Sequence, residues 1–190
     1  SAFSFNKETG KLSFLNRKPT GGDHPCYVSV DKTGRWVAAG NYSSGSLSLM
    51  PVLADGSLGT ATSIIRHEGS GPNIGRQASP HVHGTFFSPD NRFLFVPDLG
   101  IDKVMIYAFD ETTGKLTTAK QAFAESLPGS GPRHISFHPS NKYAYLMQEL
   151  SGTVTAFKYK NGKLKSRQII SSMPAGDTSF AGSADIHVSP

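Results

Sequence analysis

Short runs of aromatic and β-branched residues recur along the chain, and turn residues separate them. Two examples are RFLFVP at 92–97 and VMIYAF at 104–109, with Pro89, Asp90 and Asn91 forming a turn signal before the first. Short runs broken by glycine or proline about every dozen residues are typical of strands in hairpins and argue against long amphipathic helices. The pattern therefore predicts an all-β protein.

The same pattern occurs three times along the chain. The copies begin at His24, His81 and Gly131, and each contains four strand-like runs. A partial further copy begins as GSADIHVSP at 182–190, and the opening FSFNKETGKL matches the end of a copy. Four antiparallel strands in about 40 to 50 residues are the signature of a β-propeller blade.

We therefore expect a β-propeller with four-stranded antiparallel blades, of which about 15 strands, or about 3.75 blades, are present. The predicted boundaries are 1–20 for the end of one blade, 24–70, 81–126 and 131–173 for three blades, and 182–190 for the start of the next. Because propellers close into rings of about four to eight blades, we expect the chain to be a fragment. Its open strand edges are expected to pair with the remaining blades or to mediate self-association.

Composition and charge narrow the choice of partners. The net charge is +5 and the pI is near 9.4, but the basic residues are dispersed, which disfavours nucleic acid and suits a small anionic substrate. Cys26 is the only cysteine, so neither a disulfide nor a cysteine-rich zinc site is expected, and a cytoplasmic location is favoured. No apolar run approaches the ~18 residues of a membrane span, and the first residues lack a signal-peptide pattern, so no membrane partner is expected.

Aligning the copies predicts that polar residues of different blades meet at one rim of the central tunnel. Equivalent positions in successive blades form a ring about the axis, and the position at the start of the first strand holds Cys26, His83, Arg133 and Ala184. In an antiparallel hairpin the start of the first strand lies beside the end of the second. The same rim therefore receives Asn41, Asp98 and the pair Gln148 and Glu149.

Three of these residues are candidates for catalysis. His83 is suited to general acid or base chemistry because an imidazole titrates near neutrality, although a hydrogen bond to a neighbouring blade is the structural alternative. Arg133 offers paired donors to a carboxylate, a phosphate or a developing oxyanion, or it forms a salt bridge between blades. Glu149 interrupts the apolar run YAYLMQEL, and its carboxylate either transfers protons or pairs with Arg133 to hold the rim.

Three further residues are candidates for substrate binding. His81 shares a strand face with His83 and either contacts substrate or orients Asp98. Gln148 is adjacent to Glu149, and Arg76 belongs to the glycine-rich stretch GSGPNIGRQ, which is expected to be a loop crossing the tunnel rim.

A metal site is the competing interpretation of this rim. His81, His83 and Asp98 would supply two imidazoles and a carboxylate, but no third histidine has metal-ligand spacing. The chain also has no Walker loop, no dinucleotide fingerprint and no Gly-x-Ser-x-Gly nucleophile elbow. We therefore expect neither a metal nor a cofactor.

The segments SPHVHGTFFSPDNRFLFVPDLGIDKVMIYAFDETTGKL, GPRHISFHPSNKYAYLMQEL and SADIHVSP together resemble consecutive blades of the seven-bladed lactonase propellers. That family contains bacterial 6-phosphogluconolactonases and fungal carboxy-muconate lactonizing enzymes. The resemblance implies a parent protein nearly twice this length and a reaction without a required metal. It also implies that Glu149 corresponds to an acidic active-site residue of the muconate branch.

The resemblance and the rim position lead to one working hypothesis. The parent protein opens a phosphosugar lactone of the pentose phosphate pathway: His83 activates water, Arg133 holds negative charge, and Glu149 assists proton transfer to the ring oxygen. Two alternatives remain. One is a carboxy-cis,cis-muconate lactonizing cycloisomerase, whose substrate is a carboxylated lactone or its open form, and the other is a non-catalytic propeller that only binds a partner.

Overall fold

The computed structural model describes residues 1–177 and 179–189. In this part of the chain, fourteen strands form one two-stranded sheet and three four-stranded antiparallel sheets. The prediction of an all-β, partial β-propeller fold is confirmed.

Each four-stranded sheet is a meander of consecutive strands. The two-stranded sheet pairs β1 (Ala2–Phe5) with β2 (Leu12–Asn16). The first four-stranded sheet contains β3 (Pro25–Val30), β4 (Trp36–Asn41), β5 (Ser46–Pro51) and β6 (Ser63–Arg66). The second contains β7 (Phe86–Phe87), β8 (Phe93–Asp98), β9 (Lys103–Asp110) and β10 (Lys115–Glu125). The third contains β11 (Pro132–Phe137), β12 (Tyr143–Gln148), β13 (Thr153–Lys160) and β14 (Lys163–Ser171).

Apolar side chains from neighbouring sheets form the core. Phe95 on β8 is fully buried, and its ring lies 5.3 Å from that of Phe137 and 5.9 Å from that of Tyr159, both in the third sheet. A second cluster joins Trp36 of the first sheet to Leu94 of the second. Because burial of one such side chain stabilises the fold by about 1.5 to 3 kcal/mol, these contacts fix the sheets relative to one another. They thereby fix the rim formed by the strand ends.

The first strand of the second sheet is shorter than predicted. The alignment of the repeats places the start of this strand at His83, but the regular strand contains only Phe86–Phe87, with an isolated bridge between Val82 and Asp98. Pro97 lies opposite this stretch and has no N–H to donate to a ladder, although its carbonyl accepts from the His83 amide at 3.0 Å. His81 and His83 therefore lie outside the regular sheet.

Two other segments differ from the expected pattern. The glycine-rich stretch predicted to be a loop contains a short helical turn, α1 (Ile74–Gln77), and Leu99–Ile101 form a 3₁₀ turn after β8. Residues 182–189, expected to begin another blade, contain no regular strand in the structure. Within the described residues, no helix is long and apolar enough to cross a membrane.

Candidate active site

The carboxylate of Glu149 is the centre of a charged cluster at the rim. Glu149 directly follows β12 and is only 6% exposed. Its Oε1 accepts a hydrogen bond from Arg76 Nη2 at 2.5 Å, and its Oε2 accepts one from Arg133 Nη1 at 2.5 Å. The Nε2 atom of His83 lies 3.4 Å from the same Oε2. The structure thus brings together all three predicted catalytic residues and Arg76.

A backbone irregularity in β11 places Arg133 beside Glu149. On β11 the pairing register shifts between Pro132 and His134, so Arg133 occupies a bulge in the strand. A bulge changes the direction in which a side chain points. The backbone N–H of Glu149 donates to the carbonyl of Gly131 at 2.7 Å, which holds the carboxylate beside this bulge.

Arg76 reaches the cluster because α1 is anchored by a buried glutamine. Gln77 is fully buried, its Nε2 donates to the carbonyl of Leu99 at 2.8 Å, and its Oε1 accepts from the Asn73 amide at 3.1 Å. Gly71 lies directly against this amide group, since a Cβ built there would be 2.6 Å from Gln77 Cδ. The glycine-rich stretch therefore allows the close packing that presents Arg76 to Glu149.

Burial and charge set the protonation states of the cluster. For Glu149, burial raises the pKa, but the hydrogen bonds and charges of Arg76 and Arg133 outweigh it, so the pKa is below its usual value. For His83, burial and then the positive charge of Arg133 lower the pKa to about 4. At neutral pH the cluster therefore contains a carboxylate, a neutral imidazole and two guanidinium groups, which leaves one positive charge in excess.

Tyr42 is a member of the site that the sequence analysis missed. The His81 ring stacks on Tyr42 with centroids 4.5 Å apart, and the Tyr42 ring meets His83 edge-on at 5.2 Å. Arg76 Nη2 also donates to the Tyr42 hydroxyl at 3.4 Å. The signal was present in the repeat, because Tyr42 follows β4 as Glu149 follows β12. His81 therefore joins the cluster through Tyr42.

Gln148 does not join the cluster, in contrast to the expectation that it binds substrate. Its Nε2 donates to Ser126 Oγ at 3.0 Å and to Thr155 Oγ1 at 3.3 Å, and the residue is 1% exposed. Successive residues of an extended chain point to opposite sides, so Gln148 points away from the side on which Glu149 lies.

Asp98 supports the backbone and does not point toward Glu149. Its Oδ1 accepts from the His81 and Gly100 amides at 2.7 and 3.0 Å, and its Oδ2 lies 2.6 Å from His67 Nδ1. His67 is a second residue that the sequence analysis missed. Among the described residues, no group of three or more His, Cys, Asp or Glu side chains is placed to hold a metal ion.

The arrangement is suited to a small anionic substrate with an electrophilic carbonyl. Arg76 and Arg133 offer positive charge and fixed donors, which stabilise a bound anion or a developing oxyanion. His83 Nε2 and Glu149 Oε2 are 3.4 Å apart, so a small approach of the two side chains would allow proton exchange between them. Arg133 Nε and His83 Nδ1 are buried and have no protein partner among the described residues.

The sequence matches a known protein family and several of its members. A family model described as "Lactonase, 7-bladed beta-propeller" matches residues 1–190. The chain is 41% identical over 191 aligned residues to a 6-phosphogluconolactonase of Bacillus subtilis, covering 99% of this chain and 53% of the relative. It is 35% identical to one of Formosa agariphila, covering 100% of this chain and 54% of that relative.

A solved structure described as a periplasmic gluconolactonase of Pseudomonas aeruginosa superposes with a TM-score of 0.90 at 38% identity, over 98% of this chain and 53% of that one. The chain thus spans about half the length of the curated relatives it matches. The match of the family model over the whole sequence identifies the chain as a member of the seven-bladed β-propeller lactonase family.

Proposed function

We propose that the natural full-length protein is a lactone hydrolase of the 6-phosphogluconolactonase type. The observation that carries the proposal is the convergence of Glu149, Arg133, His83 and Arg76 at one rim. The proposal is supported by relatives named 6-phosphogluconolactonase that are 35% and 41% identical to this chain. An electropositive rim with a buried carboxylate and a neutral imidazole matches the needs of ester hydrolysis on an anionic sugar.

The proposed reaction adds water across the lactone C–O bond. Neutral His83 takes a proton from water as the water oxygen bonds to the carbonyl carbon, and Arg133 stabilises the oxyanion. When the tetrahedral intermediate collapses, the bond between the carbonyl carbon and the ring oxygen breaks. Glu149 stabilises the imidazolium ion and assists transfer of its proton to the departing ring oxygen. The products are the open hydroxy acid and the regenerated site.

Substrate binding is expected to make His83 a stronger base. In the free site the positive charge of Arg133 helps to lower the pKa of His83, after the larger effect of burial. The negative charge of a substrate bound at the rim offsets part of that positive charge, so the pKa rises toward neutrality when the substrate is present. General-base catalysis is most efficient when the pKa lies near the working pH.

The test is a substrate panel with paired variants of the full-length protein. We expect hydrolysis of 6-phosphogluconolactone to exceed that of unphosphorylated gluconolactone, and His83→Asn to lower kcat by about 100-fold because the base is lost. His138→Asn is the matched control, since the His138 imidazole is hydrogen-bonded to Ser140 in its own turn at the opposite end of the sheet.

Three results would contradict the proposal. Unchanged lactone hydrolysis in single variants of His83, Arg133 and Glu149 would remove the site from catalysis. Turnover of a carboxy-muconate without lactone hydrolysis would instead favour the cycloisomerase, in which the same residues transfer a proton to carbon. No turnover of any of these substrates by the folded protein would favour a binding module.

The cellular location remains a prediction. The single cysteine favours the cytoplasm, whereas one similar solved protein is described as periplasmic. Localisation of the tagged full-length protein in its host, with periplasmic and cytoplasmic marker proteins, distinguishes the two compartments.

A further inference from the structure

Three buried polar side chains form a hydrogen-bonded triad behind the rim. His67 Nδ1 is 2.6 Å from Asp98 Oδ2, and His67 Nε2 is 2.9 Å from the hydroxyl of Tyr107. All three residues are less than 9% exposed. They do not contact Glu149 or the arginines, and the proposed mechanism does not use them.

Through Asp98, this triad is hydrogen-bonded to the segment that contains the two rim histidines. Asp98 Oδ1 accepts from the backbone amide of His81 at 2.7 Å. Two backbone hydrogen bonds then follow: the His83 amide donates to Pro97 at 3.0 Å, and the Leu99 amide donates to His81 at 2.9 Å. Because β7 begins only at Phe86, the segment from His81 to His83 has no regular ladder on this side, and it is held by these bonds together with the burial of Val82 in the core between the sheets.

We propose that His67 and Tyr107 are positioning residues that act through Asp98 to hold the segment 81–83, and with it the rings of His81 and His83, at the active-site rim. The proposal rests on the proposed function for its effect on catalysis. Its structural part stands on the contacts described above.

The direction of the hydrogen bonds follows from the chemistry of the three groups. Burial and the charge of Asp98 raise the pKa of Tyr107 to about 12, so its hydroxyl remains protonated and donates to His67 Nε2. The Nδ1 atom of His67 then carries the proton and donates to Asp98. Tyr107 therefore selects the tautomer of His67 that satisfies the buried carboxylate. A carboxylate held on both oxygens keeps its acceptor geometry toward the His81 amide.

The rim has little tolerance for displacement of this segment. The His83 imidazole already lies 3.4 Å from Glu149, at the outer limit of a direct contact. A shift of about 1 Å in a catalytic group can lower the rate by about 100-fold. Loss of the His67 bond is therefore expected to reduce kcat more than it changes KM, because the arginines that would bind the anion are held by other elements.

Four variants of the full-length protein test the proposal by kinetics. We expect His67→Leu to lower kcat by about tenfold or more with KM changed by less than about twofold. His67→Asn restores an N–H near the Nδ1 position and should recover most of kcat, whereas Tyr107→Phe should produce an intermediate loss. Tyr159→Phe is the matched control, because it removes the hydroxyl of a buried tyrosine that lies near Asp90, away from the rim.

Hydrogen exchange at the His81 amide supplies a second readout that does not require activity. His67→Leu and Tyr107→Phe should speed exchange at His81 and leave amides of β12 and β13 unchanged. If the protein shows no lactonase activity, the proposed function fails, and the exchange rate alone decides the positioning role.

Wild-type kcat and unchanged His81 exchange in a folded His67→Leu protein would overturn the inference. The same conclusion follows if His67→Asn is as impaired as His67→Leu. If His67→Leu does not fold, His67→Asn and Tyr107→Phe decide by the same two measurements: wild-type kcat and exchange in Tyr107→Phe would then overturn the inference.

Discussion

At the scale of single residues, the main feature is one carboxylate shared by two guanidinium groups. A buried ion pair is weak evidence for stability, because desolvation of the charges offsets much of their attraction. Arg133 and Arg76 approach different oxygens of Glu149, while His83 remains neutral beside them. This arrangement provides a positive field and a proton acceptor in one place, which is what the proposed lactone hydrolysis requires.

Titration of His83 tests these electrostatics. NMR of the ring resonances should give a pKa of about 4, so the imidazole is neutral above that pH. In Arg133→Gln the pKa should rise, because a positive charge that disfavours the imidazolium ion is removed, but it should stay below the ordinary value because burial remains. Arg92→Gln, at the distant turn before β8, should leave the pKa unchanged. A pKa near 6.5 in the wild type would contradict the described environment.

Much of the residue-level site could be predicted from the repeat. Alignment of the copies brought His83, Arg133 and Glu149 to one rim, and the structure places them in contact. The same alignment identified the end of the strand without separating its two faces, so it did not show that the Gln148 side chain bonds to Ser126 and Thr155 and not to Glu149. His67 was missed because it follows the last strand of the first sheet whereas Asp98 ends a strand of the second, and only the packing of the two sheets brings them together.

At the scale of elements, the helical turn α1 determines whether Arg76 reaches the site. Its position depends on Gln77, whose side chain is packed against Gly71. The sequence showed a glycine-rich stretch, which is compatible with many loop shapes. The buried amide contacts that select one shape are tertiary, so the turn could not be predicted from local pattern.

Substitution of Gly71 tests the role of this element. A Cβ at Gly71 would lie 2.6 Å from Gln77 Cδ, so Gly71→Ala should displace the anchor and with it Arg76. We expect KM for an anionic lactone to rise by about fivefold or more, since one charged hydrogen bond is worth about 1.5 to 3 kcal/mol. Gly75→Ala in the same turn is the control, because its nearest contact would be an ordinary 3.6 Å. Equal KM values for the two variants would contradict the anchoring role.

At the scale of the whole molecule, the site exists because separate sheets are packed into one body. His83 belongs to the second repeat and Arg133 to the third, whereas Tyr42 follows a strand of the first sheet. Their distances are therefore set by the apolar packing between sheets. The sequence predicted this architecture well, since repeat spacing and turn residues are local signals, but it did not give the inter-sheet contacts.

Removal of one large side chain between the sheets tests this dependence. Phe95 is fully buried and contacts aromatic rings of the third sheet, so Phe95→Ala should lower the free energy of unfolding by about 3 to 5 kcal/mol. Phe180→Ala, at a position that is 68% exposed, should change it by less than about 0.5 kcal/mol. Chemical denaturation measures both values. A small effect of Phe95→Ala would mean that the sheets are not held by this core.

The central claim is that Glu149 is part of a lactonase active site. The most direct measurement is kcat for 6-phosphogluconolactone hydrolysis by the full-length protein carrying Glu149→Gln, compared with Glu111→Gln. Like Glu149, Glu111 accepts a side-chain hydrogen bond, in its case from Asn91 Nδ2 at 2.6 Å. Glu111 lies at the end of the sheet opposite to Glu149. We expect Glu149→Gln to lower kcat by about 100-fold or more and Glu111→Gln to leave it within about twofold of the wild type. Equal activity of the two folded variants would contradict the assignment of the site.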